Sequence, residues 1–340
     1  IYAVMLFVLM FGSEMIIKTN GTSLDVGQLS TLMTYGFQIM VSLMMLSMVF
    51  VMITFSEESC KRIVEVLNEK SSITSKKNAI TEVKDGSIDF DHVRFKYSPT
   101  AERPVLENID VHIKSGETIG IIGGTGSAKS SFVQLIPRLY DVTEGTVRVG
   151  KEDVRDYDLV TLRDSVAMVL QKNVLFSGTI ADNIRWGNKD ATLEEVKHVC
   201  HLACADEFIE QMPDGYDTWI EQGGTNVSGG QKQRLCIARA LLKQPKILIM
   251  DDSTSAVDTK TDAIIRKAMR EYIPETTKII IAQRTSSVED ADRIIVLDGG
   301  KIDAIGTSEE LLKTNQIYRE VYLSQNKQGT EEIVEEGGVR

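Results

Sequence analysis

Two segments near the start of the chain are almost purely apolar. Residues 1–17 carry one charged side chain, Glu14, and residues 26–56 carry none. A helix rises about 1.5 Å per residue, so about 20 apolar residues cross the hydrocarbon core of a bilayer. The pattern therefore predicts two membrane-spanning helices, at about 1–17 and 26–56, within a transmembrane segment that covers residues 1–56.

After this segment the pattern changes to that of a soluble domain. Residues 57–85 are expected to form a helical extension and a polar linker, and residues 86–325 a globular domain. Residues 326–340 are acidic and contain glycine, which is typical of a disordered tail. Basic residues that follow a span favour the cytoplasmic side; here they are Lys61, Arg62, Lys70, Lys76 and Lys77.

A glycine-rich turn follows a short apolar run at residues 118–122 and precedes a helical pattern. It consists of Gly123, Gly124, Thr125, Gly126, Ser127, Ala128, Lys129, Ser130 and Ser131. In such a turn the backbone N–H groups converge on phosphate oxygens, and the helix N-terminus adds positive potential. We expect Lys129 to reach the terminal phosphates and Ser130 to hold Mg²⁺. One position departs from the motif, because the glycine expected before the lysine is Ala128.

A second buried strand is expected at residues 247–250, with Asp251 at its carboxyl end. A carboxylate at that place can bind Mg²⁺ directly or through water. Either segment alone could be an ordinary buried strand followed by a turn. Together, and in this order, they predict a P-loop core that binds a nucleotide with Mg²⁺.

The charge balance argues against one class of partner. The chain has 38 Lys plus Arg against 49 Asp plus Glu, a formal net charge of -11. Binding along a nucleic acid needs a basic face that neutralises phosphates, so we expect no nucleic-acid partner. The four cysteines are too few and too irregularly spaced for a disulfide framework, which indicates a reducing compartment for the globular domain.

One short cluster has the residue types of a metal site. His198, Cys200, His201 and Cys204 lie on an expected helix, where His201 and Cys204 could share a face. No second Cys or His pair follows at zinc spacing. A buried helix face of small residues is therefore the favoured interpretation.

Residues 226–231, Asn-Val-Ser-Gly-Gly-Gln, resemble the signature motif of ATP-binding cassette (ABC) transporters. Further segments similar to family motifs stand around it in order: Tyr97 in FKY, Gln171 in VLQKNVLFSGTIADNI, Glu221 just before the signature, and Ser255, Ala256, Val257 and Asp258 after Asp251. The resemblance covers about residues 86–323. It implies an α/β P-loop NTPase cassette with an antiparallel β subdomain and an α-helical subdomain, preceded by the last two of the six membrane helices of an exporter half.

The resemblance also implies roles for residues. Tyr97 would stack on adenine, and the turn at 123–131 would bind the phosphates of ATP. Gln171 would contact the nucleotide and link it to the membrane domain, and Mg²⁺ would lie among Ser130, Gln171 and Asp251. Asp258 would belong to the catalytic set.

In this family two cassettes dock head to tail. The signature of one chain then faces the γ-phosphate held by the other, so a second half-transporter is the implied partner. A Ser-Gly-Gly segment at a helix start offers unhindered N–H donors to an anion. The signature residues that would act in the partner's site are Ser228, Gly229, Gly230 and Gln231.

Three positions depart from the family pattern, and all three belong to one ATP site. Asp252 stands where the family has its catalytic glutamate and is one methylene shorter; a displacement of ~1 Å can cost ~100-fold in rate. Gln283 replaces the switch histidine and cannot carry a positive charge. The added methyl of Ala128 is expected either to crowd the β-phosphate or to strain the loop.

The departures thus lie in the chain's own ATP site and not in its signature. In this asymmetry the chain resembles the degenerate-site subunit of heterodimeric bacterial multidrug ABC exporters. The resemblance implies a multi-pass subunit in the plasma membrane, with lipid around its helices and a cytoplasmic cassette that hydrolyses ATP slowly at its own site. It implies outward transport of drugs, lipids or peptides. Nine of the thirteen methionines lie in the first 52 residues, as packing filler or as a pliable lining for varied apolar ligands. Two alternatives remain: a nucleotide-gated regulatory subunit without transport turnover of its own, and a homodimeric exporter with slow ATPase activity.

Overall fold

The computed structural model describes residues 2–252 and 257–325. The chain divides into two compact units, Ile1–Ser72 and Ile73–Arg340. The predicted tail at 326–340 and two of the motif residues after Asp251, Ser255 and Ala256, lie outside the described residues.

The first unit is a pair of helices, α1 (Tyr2–Thr19) and α2 (Val26–Asn68). Both are long and apolar enough to cross a membrane. Asp25 starts α2 with a capping box, in which its carboxylate accepts from the N–H of Gln28. Helix α2 continues without a break through the predicted extension after residue 56. Gly12 lets the two helices approach, because a Cβ there would lie 2.4 Å from Leu29 Cδ1.

The second unit is an α/β domain. Its strands are β1 (Ile88–Phe95), β2 (Leu106–Ile113), β3 (Thr118–Ile122), β4 (Glu144–Val149), β5 (Glu152–Asp153), β6 (Val166–Val169), β7 (Gly178–Thr179), β8 (Trp219–Ile220), β9 (Ile247–Asp251), β10 (Thr277–Ile281), β11 (Arg293–Asp298) and β12 (Lys301–Gly306). Its helices are α3 (Lys129–Gln134), α4 (Leu159–Ser165), α5 (Ile180–Arg185), α6 (Leu193–Leu202), α7 (Asp206–Ile209), α8 (Gly229–Leu242), α9 (Thr259–Tyr272), α10 (Ser308–Thr314) and α11 (residues 316–325).

A six-stranded sheet forms the centre of this domain, in the order β12-β11-β3-β10-β9-β6. Strands β11, β3, β10, β9 and β6 are parallel, and β12 pairs antiparallel with β11. Every residue of β3, β9 and β10 is buried. Burial on both faces explains why these strands read as continuous apolar runs in the sequence rather than as alternating patterns.

A separate antiparallel sheet, in the order β2-β1-β4-β5, packs on the same core. Phe90 of this sheet stacks on Phe132 of α3, with ring centroids 4.2 Å apart and an interplanar angle of 14°. Both rings are buried, together with Ile119 and Ile279 of the central sheet. The helix that follows the glycine-rich turn is therefore fixed between the two sheets.

Helices α5 to α8 and the short β7-β8 pair form the α-helical subdomain around a second hydrophobic cluster. Cys200 is fully buried in this cluster, whereas the exposed His201 contacts Asp206, with 2.5 Å between Nδ1 and Oδ2. Among the residues that the structure describes, no group of three or more His, Cys, Asp or Glu side chains is placed to hold a metal ion. The burial of Cys200 agrees with a packed helix face.

The predicted polar linker is held against the domain. Ile80 forms a parallel bridge with Tyr157. The Ser75 hydroxyl donates to Asp158 Oδ1 and accepts from the N–H of Leu159, both at 3.0 Å. These contacts cover the start of α4, so the linker is ordered and packs against the domain from residue 73 onward.

We expect Phe132→Ala to lower the free energy of unfolding by about 3–5 kcal/mol, because it leaves a cavity at the junction of the two sheets. Chemical denaturation of the purified protein measures this loss. Val160→Ala, on the exposed face of α4, is the control and should change stability by less than about 0.5 kcal/mol. Equal losses in the two variants would contradict the junction role of Phe132.

Candidate nucleotide site

Four parallel strands of the central sheet end at one edge, and each is followed by residues predicted for the site. Gly123 follows β3, Gln283 comes two residues after β10, Asp251 ends β9 and Asp252 follows it, and Gln171 comes two residues after β6. Because parallel strands present their carboxyl ends at the same edge, the sheet brings together residues that are far apart in the sequence.

Lys129 lies over the glycine-rich turn. Its Nζ donates to the carbonyl oxygens of Gly123 at 2.7 Å and Gly124 at 2.9 Å, and to Ser127 Oγ at 3.3 Å. Burial lowers the pKa of the Lys129 ammonium, and the nearby Asp251 and Asp252 oppose that shift. The lysine therefore lies beside the turn and within the electrostatic field of the two carboxylates.

Two glycines of the turn are required by its geometry. A Cβ on Gly123 would lie 2.2 Å from the carbonyl oxygen of Leu297, and Gly126 has a φ of +82°. Gly124, Thr125, Gly126 and Ser130 are exposed, whereas Ser127 is buried. The exposed side of the turn is the side open to a phosphate group.

Ala128 adopts a left-handed conformation, with φ 71° and ψ 21°. For a residue with a Cβ this region costs about 1–2 kcal/mol, whereas glycine adopts it freely. Ala128 also packs against the core that contains Phe132. The left-handed backbone agrees with strain in the loop, one of the two effects expected of the methyl group.

Asp252 has a left-handed backbone, with a φ of 49°, and its carboxylate contacts two amides. Asp252 Oδ2 accepts from Gln283 Nε2 at 2.7 Å and from Gln171 Nε2 at 3.2 Å. Burial, reinforced by the charge of Asp251, raises the pKa of Asp252 despite these two hydrogen bonds. Asp251 itself is 8% exposed at the end of β9.

Tyr97 lies beside α3 and is 52% exposed. Its hydroxyl is 2.8 Å from Ser131 Oγ, so the predicted adenine-binding residue is hydrogen-bonded to the helix that begins at Lys129. Its ring makes edge-on contacts with Phe95 and Tyr140, at centroid distances of 4.8 and 5.0 Å. Tyr140 stands in no motif, so no pattern in the sequence points to it.

The signature residues form the start of α8. Ser228 is the N-cap, its hydroxyl accepts from the N–H of Gln231, and its own N–H donates to Gln231 Oε1. Ser228 and Gly229 are exposed. First-turn N–H groups of a helix lack an intrahelical acceptor, so this end of α8 presents donors at the surface.

Asp258 caps the next helix, α9, and accepts from the N–H of Thr261 at 3.0 Å. This backbone hydrogen bond lowers the pKa of the Asp258 carboxyl. The contact gives Asp258 a structural role in starting α9, in addition to the catalytic role predicted from the sequence.

Comparisons with known proteins agree with this architecture. Residues 106–255 match the ABC transporter family. The chain is 40% identical over 327 residues to the ABC transporter ATP-binding protein YfiB of Bacillus subtilis (strain 168). The aligned residues cover 96% of this chain and 56% of YfiB. It is also 40% identical over 275 residues to YgaD of the same organism, whose name refers to multidrug export; that match covers 81% of this chain and 47% of YgaD.

A solved structure of a bacterial Atm1-family ABC exporter with ATP bound superposes with a TM-score of 0.78 at 33% identity. The match covers 94% of this chain and 57% of that one. The chain thus spans about half the length of the relatives it matches.

The second unit is an ABC nucleotide-binding cassette, built on a P-loop core with the antiparallel and helical subdomains expected from the sequence. Two helices able to cross a membrane, α1 and α2, precede the cassette in the sequence, an order similar to that of the ABC exporter with ATP bound.

We expect Ala128→Gly to raise the free energy of unfolding by about 1 kcal/mol, because it removes the left-handed strain. The affinity for ATP should rise up to about fivefold, since more of the folded protein then holds the loop in its binding conformation. Thermal unfolding and equilibrium binding measure the two effects. Lys151→Gly is the control: Lys151 has the same φ of 71° in a different turn, so stability should rise without a change in ATP affinity.

Asp252→Asn should raise the midpoint of thermal unfolding at pH 7. An acid whose pKa is raised on folding destabilises the fold when it is ionised. This penalty is absent below the unfolded-state pKa, grows as the pH rises from there, and is complete above the folded-state pKa. The gain should therefore disappear towards about pH 3. The same substitution at the exposed Asp190 should give no gain at either pH, and a gain at Asp252 that persists at low pH would contradict the charge argument.

Proposed function

We propose that this chain is one subunit of an ATP-driven ABC exporter that moves drugs, lipids or peptides of apolar or amphipathic character out across the plasma membrane. The exporter relatives and the two helices able to cross a membrane support this proposal. The subunit would cross the membrane several times, in contact with lipid, with its cassette in the cytoplasm.

The site has the donor set that MgATP needs. The exposed turn supplies backbone N–H groups and the Lys129 ammonium, while Ser130, Asp251 and Gln171 supply the oxygen ligands that Mg²⁺ prefers. When bound, Mg²⁺ neutralises charge on the β- and γ-phosphate oxygens. Tyr97, an exposed residue beside α3, supplies the surface for the adenine.

We further propose that this chain's own ATP site is degenerate, and the observation that carries this is the contact of Asp252 with two amides. A general base needs a carboxylate lone pair directed at the attacking water. Here Oδ2 of the shorter aspartate accepts from both Gln283 and Gln171. The Gln283 amide stays neutral, so it stabilises the developing phosphate charge less than a protonated histidine would. The site would bind ATP and hydrolyse it slowly.

The signature of this chain would complete the hydrolytic site of a second half-transporter. The first turn of α8 lies at the surface, with Ser228 and Gly229 exposed, and the Ser228 hydroxyl accepts from the N–H of Gln231. Gly230 and Gln231 belong to the same turn, which is suited to a phosphate held by another chain. The partner, most simply a different half-transporter, would carry the glutamate and histidine absent here.

Closure of the two cassettes on ATP would drive the membrane helices through the region around Gln171. Along the chain, Gln171 stands between β6 of the central sheet and α5 of the helical subdomain, and its side-chain amide donates to Asp252 Oδ2. A bound nucleotide shifts the transporter towards the closed state only by its differential affinity for that state.

The test is ATP turnover of the full-length chain alone and with candidate partner half-transporters. We expect little turnover alone and ordinary turnover with a partner that has a complete catalytic site. The double variant Asp252→Glu/Gln283→His should raise turnover of the lone chain at least about tenfold, because it restores a longer carboxylate and a chargeable imidazole.

Ser228→Ala should reduce turnover of the pair about 100-fold or more, because it disturbs the donors offered to the partner's phosphate. Thr192→Ala is the matched control, since it removes the same kind of capping box from α6 at a similar cost of about 1 kcal/mol. It should leave turnover unchanged. Ordinary exporter turnover by the lone chain would replace the degenerate-site proposal with a homodimer, and ATP binding by the pair without turnover would favour a regulatory subunit.

A further inference from the structure

The last described helix, α11, reaches the loop that carries Gln283. Gln325 at its end donates from Nε2 to the carbonyl oxygen of Gln283 at 2.8 Å. Its Oε1 accepts from the N–H of Thr285 at 2.9 Å and from the Thr285 hydroxyl at 3.1 Å. One amide thus uses its donor and its acceptor on the same short segment, which a lysine or a carboxylate cannot do.

Helix α11 is firmly placed for this contact. Tyr318 is fully buried, its hydroxyl is 2.8 Å from Ser308 Oγ, and its N–H donates to Asn315 Oδ1. The cluster that buries Tyr318 includes Ile122, which precedes the glycine-rich turn, and Ala282, which precedes Gln283. The helix therefore packs on the ends of both strands that lead into the nucleotide site.

Residue 283 is held at two points. Its backbone carbonyl accepts from Gln325, and its side-chain Nε2 donates to Asp252 Oδ2. Because the Thr285 N–H is held as well, the backbone that directs the Gln283 side chain is fixed on both sides. Without Gln325 the loop would lose three hydrogen bonds and could turn this side chain away from Asp252.

We propose that Gln325 is a positioning residue of the nucleotide site, which holds the 283–285 loop so that Gln283 faces Asp252 and the terminal phosphate of ATP. The proposal rests on the proposed function, because it assumes that Gln283 acts on bound nucleotide. Helix α11, through Gln325, would then help to retain ATP at this site.

The experiment uses the full-length transporter and a non-hydrolysable azido-ATP analogue. Photolabelling of this chain after dilution gives the rate of nucleotide release from its own site, because the labelled chain is separated from its partner on a gel. We expect Gln325→Ala to release the analogue about tenfold faster, and hydrogen exchange of the Thr285 amide to be faster as well. The control is Gln316→Ala on the same helix, whose amide donates to the exposed Glu320; it should change neither rate.

The double variant Gln283→Ala/Gln325→Ala distinguishes positioning from general destabilisation. If Gln325 acts through Gln283, the double variant should release the analogue no faster than Gln283→Ala alone, whereas independent effects would multiply. Multiplying effects, an unchanged release rate in Gln325→Ala, or an unchanged release rate in Gln283→Ala would each overturn the proposal.

The failure of this proposal can be told apart from the failure of the degenerate-site proposal. The analogue is not hydrolysed, so its release is measured whether or not the site turns over ATP. Degeneracy is judged separately, from the turnover of the unmodified chain and pair.

Discussion

Parallel pairing of β3, β10, β9 and β6 is the constraint on which the nucleotide site depends. The pairing places Ile281 in register with Ile121 on one side and with Asp251 on the other. The ends of these strands then deliver a phosphate-binding turn, a carboxylate pair and two glutamines to one edge of the sheet. Other parts of the cassette hold the segments that follow these strands. The stack of Phe90 on Phe132 holds the helix after the turn, and α11 holds the loop after β10.

The two functional ends of the cassette differ in chemical character. The strand edge contains strained backbone at Ala128 and Asp252, partly desolvated charge and a carboxylate engaged by amides. The start of α8, in contrast, is a regular capping box with good local geometry. Strain of this kind costs about 1–3 kcal/mol for each residue and persists where the surrounding structure enforces it. The two ends therefore differ in backbone geometry, with strain at the strand edge and a regular cap at the start of α8.

The sequence predicted best those features that lie within contiguous residues. The glycine-rich turn, the strand that ends at Asp251 and the cap of α8 each depend on neighbouring residues, and the α/β cassette with its two subdomains was confirmed. The roles assigned to the site residues and the domain limits at 56 and 85 stay predictions. The strain at Ala128 could be anticipated only as one of two effects, because the direction of its methyl group depends on the loop backbone. Tyr140, the docked linker and Gln325 were missed, since each depends on a contact between segments distant in the sequence, and no local pattern records such a contact.

Helix α2 has a mechanical consequence of its own. It runs for 43 residues from Val26 to Asn68 and contains no proline, the commonest cause of a sharp kink. At about 1.5 Å per residue it is a rod of about 64 Å, roughly twice the thickness of the hydrocarbon core. A tilt of about 10° at one end of such a rod displaces the other end by about 11 Å. A small rotation at the Asn68 end would thus be amplified, by leverage alone, into a displacement about as wide as a helix at the Val26 end.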